Sequence, residues 1–135
     1  MMARFVCRVL IPDTLEVAFL FVVELLKTVG VSLANPGNAK ITTWTDDGDQ
    51  IEVLATTLAG EVDSGNIHCV QFWKTESEDV FVAWKQERLG WSFTFYLDGV
   101  DADIAVMLTS KLAEAVLTKY RTRYGDGDAL TIALE

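Results

Sequence analysis

Trp91-Ser92-Phe93-Thr94-Phe95-Tyr96-Leu97 is the stretch from which the rest of the chain is read. Side chains of a strand alternate between its two faces, so Trp91, Phe93, Phe95 and Leu97 share one face and Ser92, Thr94 and Tyr96 the other. One face is apolar and the other mixed, as in an antiparallel strand with one covered and one partly wet side.

After this strand Asp98-Gly99-Val100 turns the chain, and Asp101 is placed to cap a helix with Asp103 in its first turn. Ile104, Met107, Leu108, Leu112, Ala115 and Val116 give that helix an apolar stripe, and Lys119, Arg121 and Arg123 crowd its end, where cations suit the helix dipole. Gly125-Asp126-Gly127-Asp128 then leads into a last strand, Ala129 to Leu134.

Upstream, extended runs at Val80–Lys85, Ile67–Trp73, Gln50–Thr57 and Ala39–Thr45 are separated by short polar turns at Glu87–Gly90, Thr75–Asp79 and Asp46–Asp49. Residues 50–59 also fit a helical period through Ile51, Leu54, Ala55 and Leu58, but Ile51, Val53, Thr56 and Thr57 are β-branched and follow a hairpin turn, so a strand is expected. Residues 3–11 form another strand, with Phe5, Cys7, Val9 and Ile11 on an apolar face, and Pro12 ends it. Asp13 with Glu16 reads as a cap, Gly30 as a left-handed terminus, and residues 14–29 as the helix between them; Ser32–Lys40 reads as a loop.

The expected order is β-α-β-β-β-β-β-α-β over one domain, residues 1–135. Helices that bury one face need a sheet to lie on, so the expected fold is an α+β two-layer sandwich: a mainly antiparallel sheet of about 5–6 strands with two helices on one side.

Composition narrows the class. The 135 residues are 50% hydrophobic with four Trp, seven Phe and three Tyr, a balance incompatible with a disordered chain. Cys7 and Cys69 form no disulfide framework and no C-x-x-C pair, which points to a reducing cytoplasm. Arg4, Arg8, the apolar run Val17–Val23 and Ser32-Leu33-Ala34 superficially imitate a secretory leader. The run is bounded by Glu16 and Glu24, follows Pro12-Asp13 and is separated from the supposed cleavage site by Lys27, so neither a leader nor a membrane span is expected.

Catalytic parts are sparse. His68 is the sole histidine, and its neighbour Cys69 would face the opposite side of a strand. No nucleophile elbow, phosphate loop or dinucleotide fingerprint occurs. The Asp groups at 46–49, 98–103 and 126–128 miss the calcium-loop spacing and serve as turns and caps, so no metal, cofactor or catalytic residue is expected.

Charge is the feature that stands out. The net charge is −9, and residues 46–79 hold nine acids, Asp46, Asp47, Asp49, Glu52, Glu61, Asp63, Glu76, Glu78 and Asp79, against the single base Lys74. If those residues are consecutive hairpins, the acids gather in a negative lobe beside Trp44 and Trp73. A solvated face that keeps the chain soluble would look the same. The functional alternative is steering onto a basic protein, while direct nucleic-acid binding is disfavoured because the only basic cluster sits at a helix end.

The leading expectation is therefore an acidic binding module that plugs a basic partner, such as a toxin or nucleic-acid enzyme, by analogy of size, acidity and missing catalytic parts with the immunity proteins of bacterial toxin systems. One alternative is a homodimer joined through Val17, Leu20 and Val23 of the first helix or through the free sheet face. Another is a small-ligand carrier or enzyme with a pocket between helices and sheet near His68, Tyr96 or Tyr120.

Overall fold

The computed structural model describes residues 4–135. Its elements in chain order are β1 (Phe5–Ile11), α1 (Leu15–Lys27), β2 (Ile41–Trp44), β3 (Gln50–Val53), α2 (Ala55–Asp63), β4 (Cys69–Trp73), β5 (Asp79–Gln86), β6 (Trp91–Tyr96), α3 (Ala102–Leu117) and β7 (Leu130–Leu134), with a 3₁₀ turn at Arg121–Arg123. The strands form one antiparallel sheet in the order β3-β2-β4-β5-β6-β1-β7. The α+β sandwich is as expected, with seven strands and three helices rather than five to six and two.

The extra helix is α2. Residues 50–59 stay extended only to Val53 and then turn helical, contrary to the β-branched reading. Leu54 occupies the cap position with no side-chain hydrogen bond, and the helix is held by Leu58 and Val62, which bury into the core beside α1. Burial of the helical face outweighs the local preference of Thr56 and Thr57.

Caps explain the other boundaries. Thr14, not Asp13, caps α1: its hydroxyl accepts from the Val17 amide at 3.4 Å, while Asp13 accepts from the Thr14 amide at 2.9 Å. Gly30 adopts the left-handed φ of 78° expected of it. Asp101 caps α3 through the Ile104 amide at 3.1 Å, as read from sequence. The bases expected at the end of α3 lie beyond its last turn: Lys119 sits over the Phe21 and Tyr120 rings, and Arg123 pairs with Asp13 at 3.5 Å.

Register confirms the parity of β6. Phe93 and Phe95 pair with Val9 and Cys7 on the covered face, and Thr94 and Tyr96 pair with Arg8 and Val6 on the open one. The covered face gathers Cys7, Val9, Ile11, Val70, Phe72, Val80, Val82, Trp84, Phe93 and Phe95 under the three helices. α1 lies between α2 and α3, which accounts for its many buried apolar residues, Leu15, Ala18, Val22, Val23, Leu25 and Leu26. No helix among the described residues is long and apolar enough to cross a membrane.

Candidate functional site

Pairing across five strands builds one cross-strand row on the open face. Thr42 of β2 lies opposite Gln71 of β4, Gln71 opposite Phe81 of β5, Phe81 opposite Tyr96 of β6, and Tyr96 opposite Val6 of β1. Directly opposed side chains stand about 5 Å apart, so Gln71, Phe81 and Tyr96 form a continuous surface, with Thr42 and Val6 buried at the two ends of the row. Trp44 and Trp73, whose faces the sequence left open, both fall on this side, two residues along from Thr42 and Gln71.

Within that surface lies a cleft of about 540 Å³ lined by Arg4, Trp44, Gln71, Asp79, Phe81, Tyr96, Asp98 and Gly99. Its polar floor is a directed relay. The Trp44 indole and the Gln50 amide both donate to Gln71 Oε1, at 3.2 and 3.0 Å, and Gln71 Nε2 donates to Asp79 Oδ2 at 3.1 Å. Both ends of the Gln71 amide are thereby satisfied and its orientation is fixed. Phe81 and Tyr96 pair at a centroid distance of 5.6 Å, and the Arg4 guanidinium lies over the Tyr96 ring at 5.9 Å. Gly99 packs so closely on the Asp79 backbone that a side chain there would collide with it, which locks the connection from β6 to α3 against the cleft.

The nine acids of residues 46–79 do not form one lobe. β2 pairs antiparallel with β4 at Thr42 and Gln71, so the turn holding Asp46, Asp47 and Asp49 lies beside the start of β4, whereas the turn holding Glu76 and Glu78 lies at its far end. A meander puts alternate turns together, but α2 is inserted between β3 and β4, and β4 returns beside β2 rather than β3. Asp63, at the end of α2, shares a groove with Arg88, Arg123 and the turn between β5 and β6, and Glu61 sits on the same helix. Glu52 pairs with Lys40 at 2.8 Å, and Glu78 accepts the Thr75 hydroxyl at 3.2 Å. Asp79 alone of the nine lines the cleft, where Asp98 joins it.

Of the aromatics expected at the site, Trp44 lines the cleft, while Trp73 is half-buried and its indole N–H finds no partner among the described residues. On α1, Val17 and Leu20 are exposed, Leu20 at 59%, but Val23 is buried and takes no part in any surface. Tyr96 was among the candidate pocket residues; Arg4, Gln50, Gln71 and Phe81 escaped notice. Alternation of Phe81 and Ala83 against Val80, Val82 and Trp84 was the available signal, blurred because both faces of β5 are largely apolar.

Titratable groups inside the covered side behave differently. Burial pushes the Cys7 thiol up, the neighbouring Thr109 hydroxyl opposing it, so the thiolate form is disfavoured. Burial, with the Asp13 charge behind it, raises Tyr120, whose hydroxyl has no hydrogen-bond partner among the described residues. Burial also pushes Tyr124 up to about 12, its hydroxyl donating to the Leu10 carbonyl at 2.8 Å. His68 is exposed just before β4, away from the buried Cys7. Among the described residues no cluster of three His, Cys, Asp or Glu side chains is arranged to hold a metal ion. No family model, no curated protein and no solved structure matches this chain.

Proposed function

We propose that this chain is an acidic binding module for a basic partner protein, and that the open face of its sheet is the contact surface. The observation that carries the reading is Arg4: a guanidinium already rests on the Tyr96 ring in a cleft flanked by Asp79 and Asp98. An aromatic face with carboxylates at its rim attracts a guanidinium or ammonium through the ring quadrupole and through charge. A partner's Arg or Lys enters on the same terms, with Trp44 and Phe81 supplying flat apolar area beside it. The hairpin acids Asp46, Asp47 and Asp49 are exposed and add steering from one end of the sheet. In this reading the partnership is of the inhibitor or immunity type, the module occupying a basic site on a toxin or nucleic-acid enzyme. Two free, buried cysteines suit a reducing cytoplasm.

Affinity capture with the wild-type chain, Tyr96→Ala and Asp79→Lys, each at about 50 mM and about 500 mM salt, tests the proposal. A basic protein retained by wild type at low salt and lost by both variants is expected. Retention of the same protein by Asp79→Lys, or of non-basic proteins only, would overturn it.

A further inference from the structure

The two edges of the sheet are built differently. β3, at one edge, is four residues long and carries Glu52, paired with Lys40 of the neighbouring connection. β7, at the other, reads Leu130-Thr131-Ile132-Ala133-Leu134, with no charge, proline or bulge. Charges, prolines and bulges are the usual devices that keep sheet edges from pairing with other chains.

Backbone pairing fixes which groups of β7 face outward. Glu135 exchanges both hydrogen bonds with Arg4, and the Leu10 amide donates to Ala129. The odd-numbered residues therefore bond to β1, and the N–H and C=O groups of Leu130, Ile132 and Leu134 point away from the sheet. Nothing among the described residues pairs with them. On the helix side of this edge Phe5, Ile132 and Leu134 are exposed, as are Val106 and Leu117 of α3, the helix that touches β7; all five are between 56% and 64% exposed.

We infer that β7 pairs antiparallel with β7 of a second copy of this chain about a two-fold axis at Ile132. The sequence is palindromic in the required sense. Leu130 meets the second copy's Leu134, Ile132 meets Ile132, and Leu134 meets Leu130, so every outward N–H finds an outward C=O and every apolar side chain an apolar neighbour. α3 lies over β1, its Thr109 beside Cys7, and near β7. The two α3 helices then stand about three strand spacings apart, roughly 14 Å. Helices in direct contact approach to about 8–10 Å, and the exposed side chains of both copies fill the difference.

Beside β7, Arg8 pairs with Glu135 at 3.3 Å and shares a groove with Asp126 and Asp128, while the acidic hairpins of residues 46–79 lie toward the far edge, so two chains of charge −9 meet with those hairpins well apart. The five residues expose roughly 500 Å² per copy, of which pairing at the strand edge covers a part. With the strand edge added, this is below the ~800 Å² per partner of a standard interface, which fits a weak, reversible dimer. The open faces of the two copies lie on the same side of the joined sheet, so two clefts face one way.

Sedimentation of the full chain up to about 500 µM tests the inference. Wild type is expected to rise from 15.0 kDa toward twice that mass, and high salt is expected to leave the dimer intact. Ile132→Lys and Ile132→Glu are each expected to stay monomeric while keeping the wild-type circular dichroism, and an equimolar mixture of the two is expected to recover dimer because the opposite charges meet at the axis. A wild type that stays monomeric, a variant that still dimerises, or a mixture that recovers nothing would each overturn the inference. Leu20→Lys, on the exposed stripe of α1, is expected to dimerise like wild type; a monomeric Leu20→Lys would move the interface there and overturn it as well.

Discussion

Phe93 and Phe81 lie on adjacent strands of the same sheet but on its opposite faces, and their surroundings differ. Phe93 is fully buried under the helices beside Trp84, with ring centroids 5.8 Å apart, and its surroundings are almost wholly apolar. Phe81, on the other side, is half-exposed between Gln71 and Tyr96, in a surface that mixes rings, amides and carboxylates. The covered face determines whether the chain folds. The open face is free to vary without that penalty, which is where recognition chemistry accumulates.

Truncation separates the two most sharply. Phe93→Ala is expected to cost about 3–5 kcal/mol in denaturant unfolding, because a large ring leaves a closed cavity. Phe81→Ala, with its ring partly in water, is expected to cost about 1–2 kcal/mol while weakening capture of the basic partner. Equal losses at the two sites would erase the distinction between the faces.

Alkaline titration probes the covered side alone. Tyr120 and Tyr124 have folded-state pKa values above the ordinary 10.0, Tyr124 at about 12, so the protonated phenol is favoured by folding. Their contribution is complete below pH 10 and is lost as pH rises through the folded-state value, so stability is expected to fall between about pH 10 and 12. In Tyr124→Phe that decline is expected to be shallower, as followed by denaturant midpoints across the range; an unchanged slope would assign the alkaline loss elsewhere.

The smallest stability effect belongs to the exposed hairpin. Reversing Asp46, Asp47 and Asp49 to Lys is expected to leave stability within about 0.5 kcal/mol per site and to slow partner association by about tenfold or more at low salt. A rate that does not change would remove steering from the role of the open-face rim.

Much of the fold was legible because its determinants are local. The alternation in Trp91–Leu97, the Asp101 cap and the left-handed Gly30 each act within a few residues, and each stands where it was read. α2 was not legible, since Leu54, Leu58 and the β-branched residues support both periods, and the deciding contact of Leu58 and Val62 with the core beneath α1 is remote in sequence. The single negative lobe failed for the same reason: which turns share an end depends on β4 returning beside β2. At the cleft, Trp44, Tyr96 and Asp79 carried visible chemistry. Gln71 joined the cleft only when register set it between Trp44, Gln50 and Asp79.

The position of β1 has a consequence for synthesis. Its two partners, β6 and β7, lie far along the chain, with Val6 waiting for Tyr96 and Phe5 for Leu134. At ribosomal speeds of about 5–20 residues per second, that strand stays unpaired for roughly 5–25 s, while the hairpin of β4 and β5 closes in microseconds. Closing so long a loop is slow even in the finished chain. The nascent protein therefore carries Cys7, Val9 and Ile11 without their strand partners until β6 and β7 have been made.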